Sequence, residues 1–183
     1  MKTELTLIER ADVFATAAHA AVGQVRKYSK EPYIVHPRSV VDTMRKFAIG
    51  AITDEQCAAG LLHDVCEDCN ITNDLITEVF GEKVAELVEN LTDISKPEDG
   101  NRRIRKAKDL EHTALASPEA KTIKVCDLID NAKSIVEHDP SFARIWLKEK
   151  RALLDVMQDA DTGVIKKAYQ VLEESERFLQ LSK

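Results

Sequence analysis

Apolar side chains recur every three or four residues along most of the chain, which is the spacing of one face of an α-helix. A first helix is predicted over residues 4–25, and a loop over 26–36 follows it. Pro37 is expected to open a second helix, because the N–H that proline lacks would be unpaired in a first turn anyway. The apolar face of the first segment shows the pattern most clearly, with Leu5, Ile8, Ala11, Ala15, Ala18 and Val22.

Helix-start signals divide the rest of the chain into further helices. Thr53 and Gln56 form a capping box that is expected to open a helix reaching about Cys69. Ser117-Pro118-Glu119 combines a capping hydroxyl, a proline and a first-turn acid, which is a strong helix start. Other helices are predicted at 72–81, 83–91, 141–159 and 163–181, with part loop and part exposed helix at 93–117. No segment predicts a strand, so the expected fold is an all-α bundle of roughly eight to ten helices.

Composition agrees with this fold class, since 44% of the residues are hydrophobic and only 5% aromatic. No repeat or linker divides the chain, so residues 1–183 are expected to form one domain. The net charge of −6 argues against a protein that coats nucleic acid or an anionic membrane. With no membrane-spanning run and no signal peptide, a soluble cytoplasmic protein is expected. Cys66 and Cys69 form a C-x-x-C without a second pair, so reduced, structural cysteines are expected.

The predicted helix around residue 63 carries polar groups opposite its apolar stripe. His63 and Glu67 are four residues apart, as are Asp64 and Asp68, so each pair stacks on one face of a helix. The adjacent side chains of His63 and Asp64 can both reach an ion that lies over the edge between them. A solvated acidic surface is the alternative interpretation of these four residues.

A carboxylate on the helix after Pro118 favours the metal site over the solvated acidic surface. The helix is apolar nearly all round, which indicates burial, yet it contains Asp127 and, one turn later, Asn131. A buried carboxylate is costly unless it is paired or binds a metal ion. Asp127 is therefore expected to be either a metal ligand, with Asn131 orienting substrate or water, or the salt-bridge partner of Lys124 or Lys133.

His36 completes a set of four candidate ligands, because a histidine between an extended loop and a proline-started helix is held rigidly. Two imidazoles and two carboxylates suit Mn²⁺, Fe²⁺ or Zn²⁺, whereas thiolate-preferring sites would recruit cysteine. Such an ion lowers the pKa of water and neutralises charge at a phosphorus centre. Glu67 and Asp68 lie one turn beyond the predicted ligands, where they can position or deprotonate that water.

The order His36, His63-Asp64, Asp127 resembles the H…HD…D signature of the HD phosphohydrolase superfamily. The surrounding sequence is similar to the hydrolase domain of RelA/SpoT proteins, and nothing in the chain resembles their synthetase, TGS or ACT domains. The chain thus resembles the stand-alone small alarmone hydrolases, including the metazoan SpoT-like homologue, over roughly residues 8–157. The stretches that carry the resemblance are Arg26-Lys27, Pro32-Tyr33-Ile34-Val35-His36-Pro37, Leu61-Leu62-His63-Asp64-Val65-Cys66-Glu67-Asp68 and Lys124-Val125-Cys126-Asp127 with Asn131.

The resemblance implies an HD-domain helical bundle that removes the 3′-pyrophosphate of (p)ppGpp. It implies one Mn²⁺ per chain, with Fe²⁺ or Zn²⁺ as alternatives. The implied partner is a small nucleotide, without nucleic acid or membrane, and a homodimer is compatible with it. The implied site residues are His36, His63, Asp64 and Asp127 for the metal, Glu67 and Asp68 for catalysis, and Arg26, Lys27 and Asn131 for the substrate.

Two departures from the family pattern leave the base of the nucleotide substrate undecided. The segments from His19 to Arg26 and from Arg26 to Pro32 are longer than usual, so guanine and adenine nucleotides both stay candidates. The alternatives are a (pp)pApp hydrolase, an NADPH phosphatase, a 5′-nucleotidase, or a module that binds nucleotide without turnover. The basic run over residues 102–108 is either a solvated helix face or a phosphate clamp.

Overall fold

The structure is a computed structural model that describes residues 4–181. Within that range it contains ten α-helices, one short 3₁₀ turn at Pro97–Asp99 and no strand, which confirms the all-α prediction. No helix of this described part is long and apolar enough to cross a membrane. The helices are α1 (Leu7–Ala21), α2 (Val35–Phe47), α3 (Asp54–Leu62), α4 (Val65–Asp68), α5 (Asn73–Phe80), α6 (Glu82–Leu91), α7 (Arg102–Leu115), α8 (Pro118–His138), α9 (Pro140–Asp155) and α10 (Thr162–Leu181).

Helix α8 lies at the centre of the bundle and packs against α2, α3, α6, α9 and α10. It begins where the sequence predicts, because the Ser117 hydroxyl accepts the Ala120 backbone N–H and Pro118 occupies the first turn. Its side chains Ile123, Val125 and Leu128 are fully buried. Because other helices pack on several sides of α8, the side chain of Asp127 in its middle is only 18% exposed.

The first helix, predicted over 4–25, ends at Ala21, and the one predicted over 141–159 ends at Asp155. Two further boundaries that differ from the sequence prediction lie at the site described below. Helix α2 begins at Val35, so Pro37 is its third residue, where the backbone N–H has no helical partner either. The helix predicted to run to Cys69 ends at Leu62 and restarts as α4. The imidazole Nδ1 of His63 lies 2.8 Å from the Gly60 carbonyl oxygen, the atom that a continuous helix would pair with the next turn.

The start of α10 is tied to the loop between α2 and α3. The Asp161 carboxylate accepts backbone N–H groups from Ile49 and Gly50 in that loop, and from Gly163 and Val164 at the start of α10. The backbone at residue 163 therefore lies directly against the end of α2. A Cβ added at this position would overlap the Phe47 carbonyl oxygen and lie 2.8 Å from Ile49 Cγ1.

Replacing Gly163 by alanine is expected to destabilise the fold by about 1–3 kcal/mol, because the backbone of α2 or α10 must shift to admit the methyl group. Urea unfolding measures the change. The matched control is Lys166→Ala at an exposed position of the same helix, which should stay within about 0.5 kcal/mol of the wild type. Equal unfolding midpoints for the two variants would contradict the close approach of the two backbones.

Candidate metal centre

The four candidate ligands come from three parts of the fold and meet at one point. His36 lies in the first turn of α2, His63 and Asp64 at the break between α3 and α4, and Asp127 in the middle of α8. His36 Nε2 is 3.1 Å from Asp127 Oδ1, and His63 Nε2 is 3.0 Å from Asp64 Oδ2. The two remaining imidazole–carboxylate distances are 3.8 Å and 4.0 Å. The fold thus brings together all four residues that the sequence singles out.

Each imidazole is oriented through its Nδ1 atom, so that Nε2 faces the cluster. His36 Nδ1 lies 2.6 Å from Asp130 Oδ2, and the Ser39 hydroxyl donates to the other oxygen of Asp130. His63 Nδ1 lies 2.8 Å from the Gly60 carbonyl oxygen, which can only accept, so Nδ1 carries the proton. In both imidazoles Nδ1 is hydrogen-bonded and Nε2 faces the carboxylates, which is the orientation that metal-binding histidines adopt.

The two carboxylates are fixed by neighbouring side chains. Asn131 Nδ2 donates to Asp127 Oδ1 over 2.6 Å, one helical turn further along α8. The Tyr33 hydroxyl donates to Asp64 Oδ2 over 2.5 Å. Burial and the adjacent Asp64 charge raise the pKa of Tyr33, so its proton stays in place at any physiological pH.

The charges of the cluster balance as two acids against two bases. Burial alone would lower the pKa of His36, but hydrogen bonds to Asp127 and Asp130 outweigh it and raise the pKa to about 9. Burial likewise opposes charging of His63, yet Asp64 raises its pKa. Although burial would raise the pKa of both carboxyls, the imidazoles hold that of Asp64 at about 2 and that of Asp127 well below its usual range. A divalent cation carries the same charge as two imidazolium protons.

One buried atom supports a metal ion directly. His63 Nε2 is shielded from solvent and has no hydrogen-bond partner within the described residues, although it points at the two carboxylates. Such an orphaned nitrogen is costly unless something else satisfies it. His36, His63 and Asp64 each place a ligand atom within 4.8 Å of the others, which is the arrangement a metal ion can bridge. His36, His63 and Asp64 therefore fit a divalent cation, and Asp127 Oδ1 lies beside them, 3.1 Å from His36 Nε2.

The cluster forms the floor of a cleft of about 830 Å³ between α4, α7, α8 and α9. His63, Asp64 and Asp127 line the floor. One wall is apolar, with Leu110, Phe142, Ile145, Trp146 and Leu153. Charged groups of both signs complete the lining: the basic ones are Arg102, Arg103, Lys106, Lys124 and Lys150, and the further acids are Glu67, Asp68, Asp93, Asp109 and Glu149. The basic run of the sequence analysis thus contributes three of its members to the cleft instead of lying wholly in solvent.

Glu67 and Asp68, the predicted catalytic acids, both line this cleft on α4. Glu67 Oε1 accepts the Asp93 backbone N–H over 2.7 Å. Burial raises the pKa of Glu67 to about 7 despite the nearby Lys124 charge. Asp68 Oδ2 accepts from the Gln24 side-chain amide over 2.7 Å. Both carboxylates are therefore held in place and face the space next to the proposed ligands.

Lys124, an alternative partner of Asp127 in the sequence analysis, pairs elsewhere. Its Nζ donates to the Leu91 carbonyl over 2.6 Å and lies 3.1 Å from Asp93 Oδ1. Lys106 Nζ lies 2.6 Å from the other Asp93 oxygen. Asp93 thus forms ion pairs with two lysines beside the cleft. The sequence analysis did not assign it a role, because its partners lie on α7 and α8.

The three predicted substrate residues differ in their position relative to the cleft. Asn131 lines the cleft, whereas Arg26 and Lys27 do not. Arg26 donates to Asn131 Oδ1 over 3.2 Å and pairs with Asp130 Oδ2 over 3.3 Å. The Lys27 side chain is 70% exposed, with Nζ 3.7 Å from Asp139 Oδ2. Substrate contact by Arg26 and Lys27 stays a prediction, and the present contacts of Arg26 orient Asn131 and Asp130.

Several known proteins are similar to this chain in sequence or in fold. The HD domain family matches residues 11–153. A Xenopus tropicalis protein named guanosine-3′,5′-bis(diphosphate) 3′-pyrophosphohydrolase MESH1 is 35% identical over 145 residues, which cover 76% of this chain and 75% of the relative. A protein of Aquifex aeolicus named guanosine-3′,5′-bis(diphosphate) 3′-pyrophosphohydrolase is 35% identical over 128 residues, or 70% of this chain. A solved structure described as a metazoan orthologue of SpoT that hydrolyses ppGpp superposes with a TM-score of 0.80 at 22% identity, covering 95% of this chain and 98% of that one.

The chain therefore belongs to the HD domain family and, within it, to the family of these SpoT- and MESH1-related proteins. This confirms the resemblance seen in the sequence. The chain spans only 18% and 19% of the length of two bacterial relatives, from Aquifex aeolicus and Synechocystis, so it corresponds to one part of those longer proteins. HD hydrolases depend on a metal ion, and His36, His63 and Asp64 form a cluster whose geometry can hold one.

Proposed function

We propose that this protein hydrolyses the 3′-pyrophosphate of guanosine tetra- and pentaphosphate, (p)ppGpp, with the help of a bound divalent metal ion. The observation that carries the proposal is the meeting of two imidazoles and two carboxylates at the floor of a cleft lined by cationic and apolar walls. The names of the Xenopus and Aquifex relatives support the reaction and the substrate.

The proposed ligands are His36, His63, Asp64 and Asp127, with Mn²⁺ as the expected ion. When bound, such an ion lowers the pKa of water and neutralises charge on a phosphoryl group. The chain's own part is to hold this set rigid: Asp130 and the Gly60 carbonyl fix the two imidazoles through Nδ1. Residues that orient ligands in this way are typically worth 10- to 100-fold in metal affinity or activity.

Glu67 and Asp68 are the proposed acid–base pair. Because its pKa is about 7, the Glu67 carboxyl can accept a proton from water and return it at neutral pH. The hydrogen bond from the Asp93 backbone N–H leaves the second Glu67 oxygen, Oε2, available for this transfer. Asp68, held by Gln24, faces the same space and is proposed to orient the attacking water.

The cleft suits a nucleotide that carries several phosphates. Its volume of about 830 Å³ is in the range of small-molecule sites. Arg102, Arg103 and Lys106 on α7 offer cations to phosphate groups, and arginine matches phosphate geometry with two parallel hydrogen bonds. Phe142 and Trp146 on α9 offer an apolar surface to the base.

A turnover screen with Mn²⁺ tests the proposal. The substrates are ppGpp, pppGpp, pppApp, NADPH and simple 5′-nucleotides, and the position of the cut is assigned from the products. The expected result is release of pyrophosphate from the 3′ position of ppGpp and pppGpp, abolished by chelation and restored by Mn²⁺. A clear preference for pppApp or NADPH would replace the proposed substrate, and no turnover of any of them would contradict an enzymatic role.

A further inference from the structure

Lys150 is a partly buried cation of the cleft that has no ion-pair partner within the described residues. Lys150 on α9 is half-buried and lines the cleft, and within the described residues its ammonium makes neither a hydrogen bond nor an ion pair. The ammonium instead lies over the Trp146 ring, one turn earlier on α9, with Nζ 5.5 Å from the ring centroid. Lys106 and Lys124, which line the same cleft, are both paired with Asp93.

The acids near Lys150 are already compensated by other groups. Asp127 and Asp93 are the carboxylates that attract it, while Lys124 and Lys106 repel it. Asp127 is paired with His36, and Asp93 is paired with both of the other lysines. Lys150 therefore has no carboxylate partner of its own at the wall of the cleft, although the Asp127 charge attracts it.

Keeping such a charge in place costs stability. Burial lowers the pKa of Lys150 below its ordinary value, because the surroundings solvate the ammonium less well than water does. A methionine or leucine would pack beside Trp146 without that desolvation penalty. Groups that destabilise the free protein in this way are typical of binding and active sites, where the ligand supplies the missing partner.

We propose that the Lys150 ammonium binds a phosphate oxygen of the substrate beside Asp127, and that Lys150 is a substrate-binding residue of the reaction proposed above. The chemistry it recognises is a di- or polyphosphate, because the cleft offers further cations on α7 and an acidic cluster that excludes an anion unless a metal ion is bound. This inference rests on the proposed function for the identity of the nucleotide, but the recognition of a diphosphate group can be measured without it.

The test compares Lys150→Met, which keeps the length and removes the charge, with Lys150→Arg, which keeps the charge. Lys148→Met is the matched control, since Lys148 is exposed on the same helix. Calorimetry measures the binding of inorganic pyrophosphate to each protein, with and without Mn²⁺. Urea unfolding of the metal-free proteins and turnover of ppGpp complete the set.

Lys150→Met is expected to weaken pyrophosphate binding by about 10- to 100-fold, as for the loss of one charge-assisted hydrogen bond. Lys150→Arg should retain most of the affinity, and Lys148→Met should match the wild type. The unfolding midpoint of Lys150→Met should equal or exceed that of the wild type, because an uncompensated charge has been removed. A purely structural lysine would instead lower the midpoint.

Two results would overturn the proposal. One is wild-type affinity for pyrophosphate in Lys150→Met, and the other is a loss of affinity that accompanies a lower unfolding midpoint and is not restored by arginine. Failure of the proposed function is distinguishable from both. If the wild type does not hydrolyse ppGpp but loses pyrophosphate binding on Lys150→Met, the nucleotide is wrong and the assignment of Lys150 stands.

Discussion

Replacing Asp127 by alanine is expected to remove both the bound metal ion and turnover. Asp127 Oδ1 lies 3.1 Å from His36 Nε2 and 4.0 Å from His63 Nε2, so it faces both imidazoles. Its loss takes the carboxylate partner from His36 Nε2 and removes one of four proposed ligands. Turnover should fall by more than about 100-fold, since even residues that only orient a ligand are worth 10- to 100-fold. His63→Ala should behave in the same way.

The measurements are metal content after dialysis against Mn²⁺, and turnover of the substrate found in the screen. The wild type should retain about one equivalent of metal per chain, and both variants much less. Because the proposed ligands join α2, α3 and α8, Mn²⁺ should also raise the melting temperature of the wild type. At a free Mn²⁺ concentration 100 times the Kd, the gain is about 2.7 kcal/mol, and it should be absent in Asp127→Ala.

Asp42→Ala is the control for these variants, because Asp42 is an exposed acid on α2, the helix that carries His36. It should keep the metal content, the turnover and the melting shift of the wild type. Full activity in a metal-stripped sample, or one equivalent of metal bound to Asp127→Ala, would show that the cluster is not the metal centre.

Glu67→Gln and Asp68→Asn are expected to stop the reaction without emptying the metal site. General acid–base catalysis is typically worth about 10²–10⁴ in rate, so single-turnover rates should fall by that factor. Metal content should remain near one equivalent per chain, and substrate should still bind, because the proposed ligands and the cations of the cleft are unchanged. Near-normal rates would refute the catalytic role, and loss of metal would make these two carboxylates ligands.

The pH dependence distinguishes Glu67 from a passive acid. Burial raises the pKa of Glu67 to about 7, so below that pH the carboxyl is protonated and cannot accept a proton from water. A divalent cation beside Glu67 favours the carboxylate and lowers this pKa, so turnover at saturating metal should rise with pH and level off below about 7, and Glu67→Gln should lose the rise. Glu78→Gln, at an exposed position of α5, is the control and should keep the wild-type profile.

Local signals in the sequence determined where most helices begin. The capping box of Thr53 and Gln56 and the start at Ser117-Pro118 form as predicted, because each involves residues only three positions apart. The exception is also local in origin: His63 bonds to the Gly60 carbonyl and ends α3, which hydrophobic spacing alone does not show. The sequence pattern also selected the four proposed ligands, since their residue types and order are characteristic of the family.

Partner choice within the site was decided by the tertiary structure. Asp130, which orients His36, is 94 positions away in the sequence. Lys124 pairs with Asp93 instead of Asp127, although Asp127 is only three positions away in the sequence. In the sequence, Lys150 has the features of an ordinary helical lysine. Only the packing of α9 shows that it lines the cleft without an ion pair. Helix spacing shows which side chains share a face, but only the packing of one helix on another decides which charges meet. For this protein the sequence determined the helices and the proposed ligands, and the three-dimensional fold determined their partners.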